Sequence, residues 1–370
     1  MFLALREIRF AKGRYSLIAA IMVLVAFLVL FVTGLAQGLA YDNASSIQNM
    51  SATHFVLEED ANHRFIRSQL EQQQLEAVGA IAGEENAEPL GVRMTTVMLS
   101  GSSTKLDVTL LAVRSGSWLA PDVIEGMTIS DQMEGYVVVD EKLKAYGIVI
   151  GSVLVDEASG IEWRVDGFVK DESFSHTPAV FLNMKDWQLL QTRNANPAGG
   201  QPSYNAIAVK ASKSIATKLR QHLPGTETVT KSEAVSAIPG YKEEQGSLKM
   251  MIAFLFIISA FVLAVFFYVM TIQKTSQFGI LKAIGSRTSY LAGSVALQVL
   301  LLSLVSLIVS VLLLNGFEAL LPSTMPFQLE VSTLALTCLL FMLLSLAGSL
   351  FSVWKVAGID ALEAIGRTAP

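Results

Sequence analysis

The donor chemistry of this chain concentrates in one short stretch, Tyr241, Lys242, Glu243, Glu244 and Gln245, followed by Met250 and Met251. A phenol, carboxylates and thioethers beside an apolar run can ligate haem iron, since tyrosine and methionine both serve as axial ligands. The same residues also read as an interfacial tyrosine at the end of a membrane helix, followed by ordinary packing methionines. Spacing alone leaves both readings open.

Elsewhere the sequence is poor in reactive constellations. His54 and His63 are the one close histidine pair and suit solvated or capping roles better than metal ligation. A single cysteine, Cys338, excludes an intramolecular disulfide and a cysteine-based metal site. There is no G-x-x-x-x-G-K-[ST] phosphate loop, no H-E-x-x-H helix and no G-x-S-x-G elbow. The chain is therefore expected to be no enzyme and to hold no cofactor of its own, and any ATP hydrolysis belongs to a partner.

The elements that must position these groups are membrane helices. Of 370 residues, 52% are hydrophobic and only 16% charged, against roughly 25% charged in soluble domains. Charge-free runs at Tyr15 to Tyr41, Met250 to Gln273, Thr288 to Phe317 and Val331 to Trp354 each reach the roughly 20 residues that cross a bilayer. The first exceeds the apolar core of a cleaved signal peptide and is expected to stay as an anchor. No charged residue lies mid-span, which disfavours a proton relay.

Lysine and arginine orient the spans. Arg6, Arg9, Lys12 and Arg14 precede the first, Lys274, Lys282 and Arg287 lie between the second and third, and Lys355 and Arg367 follow the last, whereas 318–330 has no basic residue. The expected plan is a cytoplasmic amphipathic segment 1–15, spans 16–39, 250–273, 288–317 and 331–354, a cytoplasmic coupling segment 274–287, an outer loop 318–330 and a cytoplasmic tail 355–370. The fold class is thus four transmembrane helices, one plus three, with a large mixed α+β extracytoplasmic domain at 40–249 between spans one and two.

That outer domain holds 27 acidic and 18 basic residues, a balance that disfavours nucleic acid. A helix is expected over Arg64 to Ile81, helical turns at Glu141 to Tyr146 and Ser212 to His222, and strands at Val92 to Leu99, Asp107 to Val113, Tyr136 to Val139, Ile161 to Val169, Ala179 to Leu182 and Ala206 to Val209. Small residues recur at helical spacing in the spans: Gly34 and Gly38, then Ser303, Ser306 and Ser310, then Ser345, Gly348, Ser349 and Ser352. They permit close helix contact, either within one chain or on a homodimer face.

Several stretches carry a resemblance. FFYVMTIQKTSQFGILKAIG (Phe266 to Gly285), the C-terminal VAGIDALEAIGR, and VDEKLKAYGIVIGSVLV with WRVDGFVKD in the outer domain resemble FtsX/MacB-type ABC permeases. Ala361 stands where that family commonly has proline. Within the superfamily, MFLALREIRFAKGRYSLI, LFVTGLAQGL, FYVMTIQK and PSTMPF are similar to the haem-exporting permeases of Gram-positive bacteria. The resemblance implies a permease homodimer in the cell membrane, working with two copies of a separate ABC ATPase and expelling haem that enters laterally from the outer leaflet of the lipid bilayer. It directs the open cluster toward haem: Tyr241 as a possible iron ligand, Glu244 nearby, and Met250, Met251 and Phe31 as apolar walls. It also implies an ATPase-coupling helix at Gln277 to Leu281, flanked by Lys274 and Lys282, with Phe278 and Ile280 as its apolar anchors. Other implied uses of the architecture are export of another amphipathic cargo, such as a lipopeptide, antimicrobial peptide or lipoprotein, or non-transporting regulation of an external enzyme.

Overall fold

The computed structural model describes residues 12–194, 203–322 and 325–357. The N-terminal segment up to residue 11, part of the PSTMPF loop and the tail motif from residue 358 onward lie outside the described residues. The chain divides into two units, one of residues 1–38 with 246–370 and one of residues 39–245.

The first helix, α1 (Lys12–Asn49), is 38 residues long, about 57 Å at 1.5 Å per residue. It needs little more than half of that to cross hydrocarbon, and it continues ten residues beyond the expected end of the span at 39. It contributes to both units, its last turns (Ala44, Ile47) being buried in the outer unit.

The outer unit then runs β1 (His54–Glu58), β2 (Leu70–Glu71), α2 (Gln72–Ala82), β3 (Ala87–Leu99), β4 (Lys105–Ala112), β5 (Val123–Gly126), β6 (Tyr136–Asp140), β7 (Val153–Asp156) and β8 (Glu162–Val169). It continues with β9 (Ser173–Phe174), β10 (Thr177–Leu182), α3 (Met184–Asn194), β11 (Ser203–Tyr204), β12 (Ala206–Val209), α4 (Lys213–His222), β13 (Thr226–Thr230) and α5 (Lys231–Ser236). Its main sheet has the order β13-β1-β12-β3-β4-β10-β6-β8-β5, mostly antiparallel, with parallel pairs β4/β10 and β6/β8. One apolar core gathers Phe55, Phe65, Phe174 and Phe181. A second packs Trp163, Val139, Leu182 and Trp187, and a third seats α2 and α4 on Val56, Ile207 and Val209.

The expected helix over Arg64 to Ile81 is shorter and later than its periodicity suggests. Residues Phe65–Arg67 form one 3-10 turn, and β2 pairs with β11 before a Glu71/Gln74 capping box starts α2. Glu141–Tyr146 is a 3-10 helix capped by Asp140. The strands β1 and β13 and the helix α3 were not anticipated.

The membrane unit holds the remainder of α6 (Tyr241–Ile272), then α7 (Thr275–Ala283), α8 (Thr288–Glu318) and α9 (Val331–Ala357). With α1, three of these make four helices long and apolar enough to cross a membrane. Their shared core includes Met22, Ala26, Leu263, Phe267, Val299 and Phe341. Ser306, Ser310 and Gly348 of the small-residue stripes make helix contacts inside this chain. Ser310 Oγ donates to Val23 O (2.9 Å) and Ser306 Oγ to Ala19 O (3.4 Å), joining α8 to α1. Gly348 faces Ala264 of α6, where an added Cβ would lie 3.4 Å from backbone.

Candidate functional site

The five residues named for haem do not fall in one unit: Phe31, Met250 and Met251 belong to the membrane unit, Tyr241 and Glu244 to the outer one. Each set is built by different elements.

In the membrane unit Phe31 is the centre of an aromatic cluster. Its ring stacks on Phe27 (6.0 Å, 7°) and on Phe327 (5.9 Å, 18°), and Phe317 meets it edge-on (5.5 Å, 85°). The i,i+4 spacing of Phe27 and Phe31 puts both on one face of α1. Two glycines let the loop before α9 reach that helix. A Cβ on Gly34 would lie 2.5 Å from the Phe327 ring, and one on Gly38 would lie 2.3 Å from the Pro326 carbonyl oxygen. Gln328 N donates to Gly34 O (3.2 Å) and closes the contact. The G-x-x-x-G pair is thus occupied by the chain's own loop. Met250 and Met251 are exposed on this unit, at 59% and 44%, on an apolar face of α6 continued by Phe254, Ile257, Ile258 and Phe261.

In the outer unit Tyr241 is half-buried against the core that contains Ile47 and Phe174. Glu244 is already engaged: its Oε2 accepts from Asn43 Nδ2 (2.6 Å) and lies 3.0 Å from His176 Nε2. The other ring nitrogen, His176 Nδ1, lies 3.1 Å from Asp42 Oδ2. A carboxylate oxygen thus lies within hydrogen-bond reach of each ring nitrogen. The histidine sits on a two-residue turn between β9 and β10 in which Ser175 and His176 both take positive φ, 51° and 61°. That left-handed geometry is uncommon for such residues, and the partners hold it in place. Ser175 N donates to Asn43 O (2.8 Å), Ser173 N to Ser45 Oγ (2.8 Å) and Lys142 Nζ to Ser173 Oγ (2.8 Å), while Lys142 also pairs with Asp42. Glu244 therefore acts as a tether between α6, α1 and the β9–β10 turn, not as a free wall of a ligand site. Sequence reading missed His176, because its partners are 134 and 68 residues distant.

Behind this turn two carboxyl groups are buried. Asp140 accepts from Lys142 N (2.9 Å) and Glu172 N (2.7 Å), yet burial still pushes its pKa up to about 6. Burial, with Asp140, Asp171 and Asp122 as acidic neighbours, raises Glu172 to about 8 against the lowering effect of its Asn49 hydrogen bond.

The coupling helix corrects one expectation. Phe278 is 3% exposed and packs into the membrane unit's own core, so it anchors α7 to the bundle instead of to a partner. Lys274 is buried too, its Nζ donating to Tyr15 Oη (2.6 Å) and Gln298 Oε1 (2.8 Å), with Tyr15 Oη donating to the same Gln298 oxygen (3.0 Å). This network locks the start of α7 to α1 and α8. The surface that α7 presents is Gln277, Ile280 (52% exposed) and, just past its end, Ile284 (78%), with Leu281 and Lys282 partly covered. Among the described residues no group of three or more His, Cys, Asp or Glu side chains could hold a metal ion.

Comparison with known proteins fits this architecture. The model of the FtsX-like permease C-terminal family matches residues 249–361. The chain is 33% identical over 369 residues to a putative hemin transport system permease protein HrtB of Staphylococcus haemolyticus, covering 99% of each chain. It is 31% identical over 366 residues to the corresponding protein of Staphylococcus epidermidis, again over 99% of both. Among solved structures, the extracellular domain of the noncanonic ABC-type transporter YknZ covers 48% of this chain and 99% of its own, at 15% identity and a TM-score of 0.34. End-to-end identity above the level of chance similarity, together with four membrane-length helices, places the chain in the HrtB family of FtsX-like ABC-transporter permeases.

Proposed function

We propose that this chain is the permease subunit of an ATP-driven pump that expels haem from the cell membrane. The observation that carries the reading is the 33% identity, over 99% of both chains, to a hemin transport permease. The working assembly is a permease homodimer with two copies of a separate, HrtA-like ABC ATPase, with both termini and α7 on the cytoplasmic side.

The physical logic begins with haem, a flat amphipathic macrocycle that partitions into lipid. A pump for it needs a lateral entry from the outer leaflet, not an aqueous channel from the cytoplasm. In the membrane unit the stacked rings of Phe27, Phe31 and Phe327 supply π surface of the kind a porphyrin face prefers, and the exposed thioethers of Met250 and Met251 add polarisable contact. In the outer unit Tyr241 offers a phenol of the type that ligates haem iron, a role Glu244 cannot share while His176 and Asn43 occupy it. The ATPase would dock on the exposed side of α7 through Gln277, Ile280 and Ile284 in a helix-in-groove contact. Closure of the ATPase pair then moves a helix that Phe278 and Lys274 fix rigidly to the bundle.

The test is reconstitution with the cognate ATPase in haem-loaded proteoliposomes, following haem transfer to an apo-haem acceptor outside. ATP-dependent transfer that disappears with Ile280→Glu supports the reading. Transfer that ignores ATP, or an ATPase stimulated only by a lipopeptide or cationic peptide, would replace haem by another amphipathic cargo.

A further inference from the structure

The outer unit contains a cavity of about 530 Å³ that the haem reading does not use. It lies between the end of α1, contributing Ser46 and Asn49 with Met50 just beyond, and the loop from Ser117 to Asp122, with Ile124 of β5, Glu172 and Phe181 also lining it. Its lining is of two kinds. Met50, Pro121, Ile124 and Phe181 are apolar, and Trp118, whose indole N–H is spent on Glu85 O (3.0 Å), offers only ring surface. The polar remainder is rich in acceptors.

Two of those polar groups are buried and incompletely used. Ser46 is fully buried and its Oγ has no hydrogen-bond partner within the protein, although a helical serine ordinarily finds one. Glu172 is 8% exposed and receives one side-chain hydrogen bond, from Asn49 Nδ2 (3.1 Å). The charges that bear on Glu172 come from several elements: Asp140 at the end of β6, Asp171 beside it and Asp122 on the facing loop, while the nearby Tyr41 phenol on α1 is neutral, its own pKa raised chiefly by burial and further by Glu172. Lys170 is the one basic residue in the lining and is exposed at the rim. Burial, reinforced by the negative field of these acidic neighbours, holds the Glu172 carboxyl protonated up to about pH 8. A metal ion is poorly served, since no cluster of three or more metal-ligating side chains exists among the described residues. A cation with an apolar body suits both halves of the lining. The Trp118 ring already carries one such group, with Lys210 Nζ 4.5 Å from its centroid.

We propose that this cavity is a binding site for a small organic ammonium ion, whose charge faces Glu172 and whose apolar body lies against Trp118 and Met50. Binding exchanges the Glu172 proton for the ligand's charge, so one proton leaves as one cation arrives. The site is independent of the haem reading and of every residue named for it.

Benzylamine is a suitable probe, titrated calorimetrically into the full chain in lipid nanodiscs, with benzyl alcohol as its uncharged counterpart and empty discs as blank. Benzylamine is expected to saturate at one per chain and to bind at least about tenfold more tightly than the alcohol. Its affinity should rise about tenfold from about pH 6.5 to about pH 7.5, because Glu172 must ionise to receive it. Glu172→Gln should abolish that slope. The wild-type slope needs no variant to fold, and so stands as its own check. Equal binding of amine and alcohol, an amine affinity flat with pH, or no uptake beyond the empty discs would each overturn the proposal.

Discussion

His176 shows how much of this protein rests on single side chains placed by distant contacts. Its ring joins Asp42 of α1 to Glu244 of α6 at 3.1 and 3.0 Å, from a turn with two positive φ angles. His176→Ala removes the ring that bridges Asp42 and Glu244. We expect that variant to unfold about 2–3 kcal/mol more easily, a loss measurable by thermal or denaturant unfolding of the full chain. Buried acids give a second expectation. Glu172 and Asp140 have folded-state pKa values of about 8 and about 6, both raised from their ordinary values. A raised carboxylate pKa means the folded state holds the proton more tightly, so stability is fully present below about pH 4 as far as these groups act and is lost as pH climbs to about 8. The unfolding midpoint should fall between about pH 5 and about pH 8, and Glu172→Gln should flatten that fall; a midpoint equally steep in the variant would remove Glu172 as its source. At this scale the sequence was only partly legible. Tyr241, Glu244 and the methionines stood out because they adjoin a long apolar run. Asp42, His176 and Glu172 did not, because what makes them matter is a fold that brings residues more than a hundred positions apart within hydrogen-bond reach.

At the scale of elements, helix α1 is the clearest case of a structure read correctly from composition but underestimated in extent. Its apolar run ends at Tyr41, yet the helix continues to Asn49 because Ala44 and Ile47 have a core to enter. The outer-domain strands with strong β-branched runs, β3, β4, β6, β8, β10 and β12, were legible. Short or polar ones, such as β13 with the sequence TETVT, depend on pairing partners that only the fold supplies. Gly34 and Gly38 were seen as close-contact residues whose partner was open, and the partner is Pro326 and Phe327 of the same chain. Gly38→Ala should therefore cost about 1–3 kcal/mol in the membrane unit, since the added carbon meets backbone. Gly246→Ala, which meets nothing within 4 Å, is the matched control. Helix α7 offers a similar contrast. Phe278→Ala should destabilise the bundle by about 3–5 kcal/mol, whereas Ile280→Glu should leave the unfolding curve in place and lower ATPase stimulation. An Ile280→Glu chain that still stimulates its ATPase fully would place the docking surface elsewhere.

For the molecule as a whole, the one-plus-three arrangement of spans with an α+β domain inserted after the first was legible because hydrophobic runs and charge asymmetry are properties of composition, not of tertiary contact. Cargo is a different matter. No arrangement of residues in the sequence separates haem from other amphipathic molecules, and the reading rests on near-full-length similarity to hemin transport permeases. The aromatic cluster around Phe31 makes that reading testable in this chain. The most direct measurement is a titration of the purified chain with haem in lipid nanodiscs, followed in the Soret band, with Phe31→Ala and Tyr241→Phe alongside. Haem export predicts saturable binding at about one haem per two chains, weakened about tenfold by loss of the Phe31 ring. It also predicts an altered Soret spectrum for Tyr241→Phe if that phenol binds iron. Uptake that never saturates and matches empty discs, with both variants indistinguishable from wild type, would contradict the account.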